Sequence, residues 1–273
     1  MSDHPTYRAV SAAETLRANR RDWDASADEY QAEHGAFLRD VGFIWSPEGI
    51  DEADVRFLGN VTGRHVLEVG CGAGLCSRWL RSRGATVVGL DLSFRQLQHS
   101  HRIDAGSGLV VPTVCATATR IPLADATFDM ACSAFGALPF VADVDVVMAE
   151  VARVLRPGGR WVFAVAHPSR WVFPDDPTEA GLRVVRSYFD RRAYVEEDDQ
   201  GRPTYVEHHH TMGEWIRACV SAGFQIDDLV EPEWPDGHDR SWGAWGPYRG
   251  RFVPGTAILL THLTETNGHR PPT

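Results

Sequence analysis

Residues 65–91, HVLEVGCGAGLCSRWLRSRGATVVGLD, constrain this chain more than any other stretch. They read as strand, glycine loop, helix, strand and acid. Residues 65–69 are a short apolar run of the kind that a strand buried on both faces needs. Glu68 stands just ahead of Gly70, Gly72 and Gly74. Leu75, Trp79 and Leu80 follow at helical spacing, and Gly84 is placed to stop that helix. Residues 86–90 form a second apolar run, with Asp91 at its carboxyl end. The order predicts a bare-backbone turn and a carboxylate at one edge of a parallel sheet, where open α/β folds bind ligands. Glycine suits the turn because a Cβ would hold a ligand off the main chain. A carboxylate after the second strand suits a ribose diol. The pattern is G-x-G-x-G, whereas a dinucleotide fingerprint would place its third glycine where Leu75 stands.

Downstream, residues 110–116 and 128–134 predict a third and a fourth strand. Residues 141–155 predict a helix, which Arg156-Pro157-Gly158-Gly159 turns into a fifth strand over 160–166. The glycine loop, the A-T-A of Ala116, Thr117 and Ala118 followed by IPLADATFD, and the L-R-P-G-G turn occur in this order. In that order they resemble the class I S-adenosylmethionine-dependent methyltransferases over residues 14–166. The resemblance implies a Rossmann-like α/β fold with a seven-stranded, mostly parallel sheet and helices on both faces. Its last strand would run antiparallel between the fifth and sixth. The resemblance also implies S-adenosyl-L-methionine as cofactor and S-adenosyl-L-homocysteine as product. Donor contacts would come from Glu68, Gly70, Cys71, Gly72, Gly74, Asp91, Leu92, Ala116, Thr117, Ala118, Ser133 and Phe135. Many family members carry an aspartate where Thr117 stands, so adenine would be met here by a hydroxyl and main chain. The segment R-x-x-W-D-x-x-A-x-x-Y, Arg20 to Tyr30, resembles the family's N-terminal lid, which gives Tyr30 a place over the donor and Trp23 one beside the acceptor. Plain amphipathic packing explains the same spacing.

At 273 residues the chain reads as a single domain over 1–273. Within it, 14–60 would be lid helices, 61–167 the donor-binding core, 168–255 substrate-side insertions with a helix and sixth strand, and 256–273 the last strand and tail. Residues 1–13 are expected to be mobile. No apolar run approaches membrane-spanning length and the first residues lack a signal segment, so a cytoplasmic protein with no membrane span is expected. The five cysteines have neither a disulfide framework nor zinc spacing. A net charge of −10 argues against a nucleic-acid substrate. There is no lysine, so no lysine can act as a base.

The second half carries the acceptor. His167-Pro168 ends the fifth strand at the ligand edge. YFDRR and TYVEH are expected to pair as a hairpin, and Thr211 with Glu214 forms a capping box for the next helix. A hydroxyl acceptor needs a base near its oxygen, and His167 followed by His209 are the candidates. Three consecutive histidines at 208–210 also admit a metal reading, but no partner has zinc spacing, and no metal is expected. Of nine tryptophans, Trp161, Trp171, Trp215, Trp234, Trp242 and Trp245 lie in the second half, and aromatic faces among acids, histidines and arginines suit a sugar, whose CH face stacks on rings while its hydroxyls need polar partners. Trp23, Trp45, Trp171, Asp175, Asp176, His210 and Trp242 are the candidate acceptor contacts, and core packing is the competing reading for any single tryptophan. HPSRWVFPDDP, YFDRRAY and YVEHHHTMGEW resemble actinobacterial methyltransferases linked to methylated polysaccharides of the methylglucose lipopolysaccharide type. That resemblance implies methylation of a sugar hydroxyl on an oligo- or polysaccharide precursor. Two alternatives stay open: a small apolar acceptor (quinone, polyketide or lipid), and a protein that binds the donor without turnover. The oligomeric state is not legible.

Overall fold

The computed structural model describes residues 6–134 and 136–265. The chain opens with β1 (Thr6–Arg8) and the long helix α1 (Ala12–Leu38). Ser11 starts α1 with a capping box: its hydroxyl accepts from Glu14 N, and the Glu14 carboxylate accepts from Ser11 N. Residues 6–13 are therefore structured rather than mobile, because β1 pairs with a later strand and the cap fixes the helix two residues before Glu14. The expectation for residues 1–5 lies outside the described residues.

After α2 (Glu52–Val55) come β2 (His65–Val69), α3 (Leu75–Ser82), β3 (Thr86–Asp91), α4 (Phe94–Ser107), β4 (Thr113–Cys115), β5 (Phe128–Ala134), α5 (Val144–Val154) and β6 (Leu155–Ala166). Next follow β7 (Ala193–Glu197), β8 (Pro203–Glu207), α6 (Met212–Ser221), β9 (Phe224–Val230), α7 (Pro247–Gly250) and β10 (Thr256–Leu263). Seven of the described strands form one sheet in the order β4-β3-β2-β5-β6-β10-β9, and β10 runs antiparallel to both neighbours. This is the Rossmann-like methyltransferase topology implied by the resemblance. Side chains alternate between two cores, as a sheet covered on both faces requires. Leu67, Ala131, Phe163 and Leu259 meet α5 and α6. Val66, Val162, Ala164 and Ile258 meet α3 and the segment carrying Phe43, Trp45 and Leu58.

Three boundaries differ from the sequence reading. β4 is confined to Thr113–Cys115, and Val110 is exposed. The L-R-P-G-G turn lies inside β6, because Leu155 pairs with Phe128 before the register shifts and Gly158 takes a left-handed φ of 75°. The hairpin forms from β7 and β8, later than YFDRR, and β1 joins it as a separate three-stranded sheet. The Thr211–Glu214 capping box is present at α6. Among the described residues no helix is long and apolar enough to cross a membrane.

Candidate active site

The ends of β2, β3, β4 and β5 converge on a cavity of about 510 Å3, roofed by one face of α1. Its floor is backbone on backbone. Gly70 has φ 75°, and a Cβ there would lie 2.4 Å from Ala137 N, while one on Gly136 would lie 2.5 Å from Gly70 O. Side chains at either position would prise apart the loops after β2 and β5. Asp91, at the end of β3, accepts from Gly72 N at 2.7 Å and from Ser93 N at 2.8 Å, one bond to each oxygen. Each oxygen keeps acceptor capacity for a ligand hydroxyl. Burial raises the Asp91 carboxyl above its ordinary value, against the pull of those N–H donors. Glu68 is buried on β2 and accepts from the Ser77 hydroxyl, and burial pushes its carboxyl up to about 7. One buried and one partly buried carboxylate in the wall favour a cationic ligand, whose charge offsets their desolvation.

Nothing local to α1 fixes it over this edge; it is tied down from outside. Asp24 accepts from the Ser93 hydroxyl at 2.7 Å and Arg95 N at 3.0 Å, Asp28 pairs with Arg95 and His99, and Gln31 donates to Gln96 at 3.0 Å. On the far side, residues 232–254 strap the helix. The Trp242 ring stacks on His34 at 3.8 Å, Arg240 donates to His34 Nδ1 at 2.9 Å, and the His238 ring bonds Pro47 O at 2.9 Å.

Of the sequence-chosen donor contacts, Tyr30, Glu68, Gly70, Cys71, Gly72, Asp91, Leu92, Ala116, Thr117 and Ala118 line the cavity. Gly74 sits one step behind, starting α3 where a Cβ would meet Ser100 Oγ at 2.6 Å. Ser133 is buried on β5 outside the wall, and Phe135 lies outside the described residues. Thr117 bonds the Thr119 hydroxyl at 2.8 Å.

Acceptor-side choices scatter. Trp23 lines the cavity, edge-on to Tyr30 and Phe140. Trp45 is fully buried in the core and donates to Glu52 at 2.8 Å, and Trp171 packs against Tyr194 and His209. Trp242 lies behind Tyr30 in the strap. Asp175 lies 3.8 Å from Arg170, and Asp176 accepts from Thr178 N. Among the described residues no histidine belongs to the cavity wall. The His167 ring is held between Ser169 Oγ and Glu231 Oε1, at 2.7 Å each. His209 bonds Tyr188 O at 2.7 Å, and His210 packs edge-on to Trp215. The three consecutive histidines thus go to separate neighbours, since His208 bonds Thr15. Sequence reading missed Leu16, Phe140 and Thr15 in the wall. A signal existed for the first: Leu16, Trp23 and Tyr30 recur every seven residues, two helical turns apart on one face.

Fold and acid-walled cavity together describe an α/β protein that takes a small ligand at the carboxyl edge of its sheet. A family model described as "Methyltransferase domain" matches residues 67–163. The chain is 39% identical over 216 residues to the demethylmenaquinone methyltransferase of Mycolicibacterium paratuberculosis, covering 79% of this chain and 80% of that protein. It is 43% identical over 105 residues to methyltransferase GfsG of Streptomyces halstedii, a match spanning 37% of each chain. An S-adenosylmethionine-dependent methyltransferase structure from Mesorhizobium loti superposes with a TM-score of 0.58 at 28% identity, over 80% of this chain and all of that one. The chain belongs to the class I S-adenosylmethionine-dependent methyltransferases, and its cofactor is S-adenosylmethionine.

The carboxylates give a pH-dependent prediction. With its carboxyl raised to about 7, Glu68 holds a proton in the folded protein that the unfolded chain releases near the ordinary glutamate value. Its contribution to stability is therefore complete below that ordinary value and is lost as pH rises through about 7. A cation entering the cavity favours the ionised carboxylate. Donor binding at pH 6 is expected to release a fraction of a proton, read by calorimetry in buffers of different ionisation enthalpy, and Glu68→Gln should reduce that release.

Proposed function

We propose that the protein transfers a methyl group to a small, largely apolar acceptor, such as a quinone- or polyketide-like ring. The observation that carries this is the wall away from the donor loops. There the first turns of α1 (Ala12, Ala13, Leu16) face Phe140, Val141 and Val146. The acid in that region, Asp143, caps α5 through Val146 N. A sugar would need several convergent polar groups, and His167, Trp171, Asp175 and Asp176 all stand outside this wall. The Mycolicibacterium paratuberculosis relative, matched over 79% of this chain, is named for a quinone precursor, which supports the same reading.

In this proposal Asp91 holds the ribose hydroxyls, Gly70 and Gly72 let the donor lie against the main chain, and Leu92 and residues 116–118 flank the adenine. Bound S-adenosylmethionine supplies an already activated methyl group. The chain's part is to orient the acceptor and keep water out. Trp23, Tyr30 and Phe140 form an aromatic roof suited to exclusion. An acceptor with an acidic phenol or activated carbon needs little help from a base, which fits a wall without histidine.

The test is transfer from methyl-tritiated donor to a panel of naphthohydroquinones, phenolic polyketides, lipids and oligosaccharides. Label in the first two classes is expected. Label only in oligosaccharides would restore the sugar reading, and donor binding with no transfer would favour a binding protein.

A further inference from the structure

Within the apolar end of the cavity one wall residue carries a hydroxyl with a partly buried partner. Thr15 lies in the wall, is 1% exposed, and has Oγ1 3.0 Å from His208 Nε2. His208 stands behind the wall, at the end of β8. Its main-chain N–H donates to Pro139 O at 2.8 Å, which brings it beside the turn carrying Phe140. Burial pushes the His208 imidazole down to about 4, so the ring is neutral at ordinary pH. A neutral imidazole has one donor and one acceptor nitrogen. In either tautomer the Thr15 hydroxyl retains a hydrogen-bonding function: lone pairs if it donates to Nε2, its proton if it accepts.

The pair is not needed to hold this corner together. Asn19, one turn further along α1, does that work: its Nδ2 donates to Phe140 O at 3.0 Å and Val206 O at 2.9 Å, and its Oδ1 accepts from Val206 N at 2.8 Å. α1, the Phe140 turn and β8 are thus joined without Thr15. A threonine set in a wall of alanine, leucine, phenylalanine and valine, with a histidine behind it, is then a polar fixture in an apolar pocket, and such fixtures set ligand orientation.

We propose that Thr15, backed by His208, is an acceptor subsite that receives a hydroxyl group on an otherwise apolar ring. The proposal deepens the methyl-transfer reading by naming the acceptor's recognition group, and rests on that reading for what occupies the cavity. His208 acts through Thr15 as a positioning residue. An acceptor lacking the hydroxyl would leave the Thr15 oxygen half-used in a dry environment, which is how sites built for a hydroxyl reject analogues without one.

The test uses 1-naphthol and its near-isostere 1-methylnaphthalene, with affinities measured by equilibrium dialysis on the full chain saturated with S-adenosylhomocysteine. Wild type should prefer naphthol by about 10-fold. Thr15→Val should shrink the preference to about 2-fold or less while leaving methylnaphthalene affinity intact, since only the hydrogen bond is lost. Thr15→Ser should keep the preference, and His208→Phe should reduce it. Wild type that binds both probes equally, or neither, overturns the proposal. So does a Thr15→Val protein that keeps the preference, or one that loses both probes together with thermal stability. If naphthol is preferred but no panel acceptor is ever methylated, the subsite stands and the methyl-transfer reading falls.

Discussion

Asp91→Ala is expected to weaken S-adenosylmethionine binding by about 10²- to 10⁴-fold, the loss of two hydrogen bonds to a charged acceptor at ~1.5–3 kcal/mol each. Two effects combine. On the proposed reading the ribose loses its acceptor, and Gly72 N–H and Ser93 N–H, which the carboxylate takes at 2.7 and 2.8 Å, lose theirs. The glycine loop is thereby freed on the side facing the ligand. Asp91→Asn should not rescue binding. An amide matches one oxygen but turns an NH2 toward either Gly72 N–H or Ser93 N–H, donor against donor. Calorimetric titration of the donor reads the effect, and a circular-dichroism melt separates it from unfolding. Unchanged affinity in a folded Asp91→Ala protein would mean that the ribose is read elsewhere in the cavity.

This prediction draws on the part of the molecule most legible in sequence. From Glu68 to Asp91 the strand, loop, helix and second strand are contiguous, so their chemistry is set by neighbours a few positions away, and glycine spacing reports backbone geometry directly. The acceptor side is assembled by contacts between distant segments. Thr15 meets His208 across 193 positions, and Arg240 meets His34 across 206. Which of three consecutive histidines turns toward α1 depends on where β8 ends and how the chain leaves it, which side-chain type does not encode. Aromatic content alone does not separate core from cavity, for a related reason. Trp45 and Trp23 look alike in sequence, but Trp45 has Glu52 seven residues on to satisfy its indole N–H inside the core, whereas Trp23 is on the helix face that roofs the cavity. His167 does lie at the sheet edge, as its position after the fifth strand suggests, yet β10 and the segment after β9 close over that edge and hand its ring to Glu231.

Arg78 is the residue whose importance sequence hides most completely, and it carries the largest expected effect on stability. In α3 it reads as one more solvated arginine among Arg81 and Arg83, but its side chain is fully buried. Nε donates to Asp40 O at 2.9 Å, just past α1. Nη1 donates to Ser100 O at 3.3 Å, Ser100 Oγ at 3.2 Å and Asp104 Oδ1 at 2.9 Å on α4, and Nη2 donates to Ala73 O in the glycine loop. One guanidinium thus fixes the roof, the helix after β3 and the donor loop to one another. Its planar fork is what allows five acceptors to be met at once, so lysine is not a substitute. Arg78→Ala leaves the Asp104 carboxylate without its ion pair and buried carbonyls without donors, and breaking a buried pair from one side costs about 3–5 kcal/mol. At ~2–4 °C per kcal/mol for a domain of this size, the melting temperature should fall by about 6–20 °C. Arg78→Lys should fall nearly as far, because a single ammonium reaches only part of the set. Donor affinity should drop in both variants even below the melt, since Ala73 O is no longer held. A melting temperature within about 2 °C of wild type would mean that water replaces the guanidinium at this junction, and the roof and donor loop would then move independently of each other.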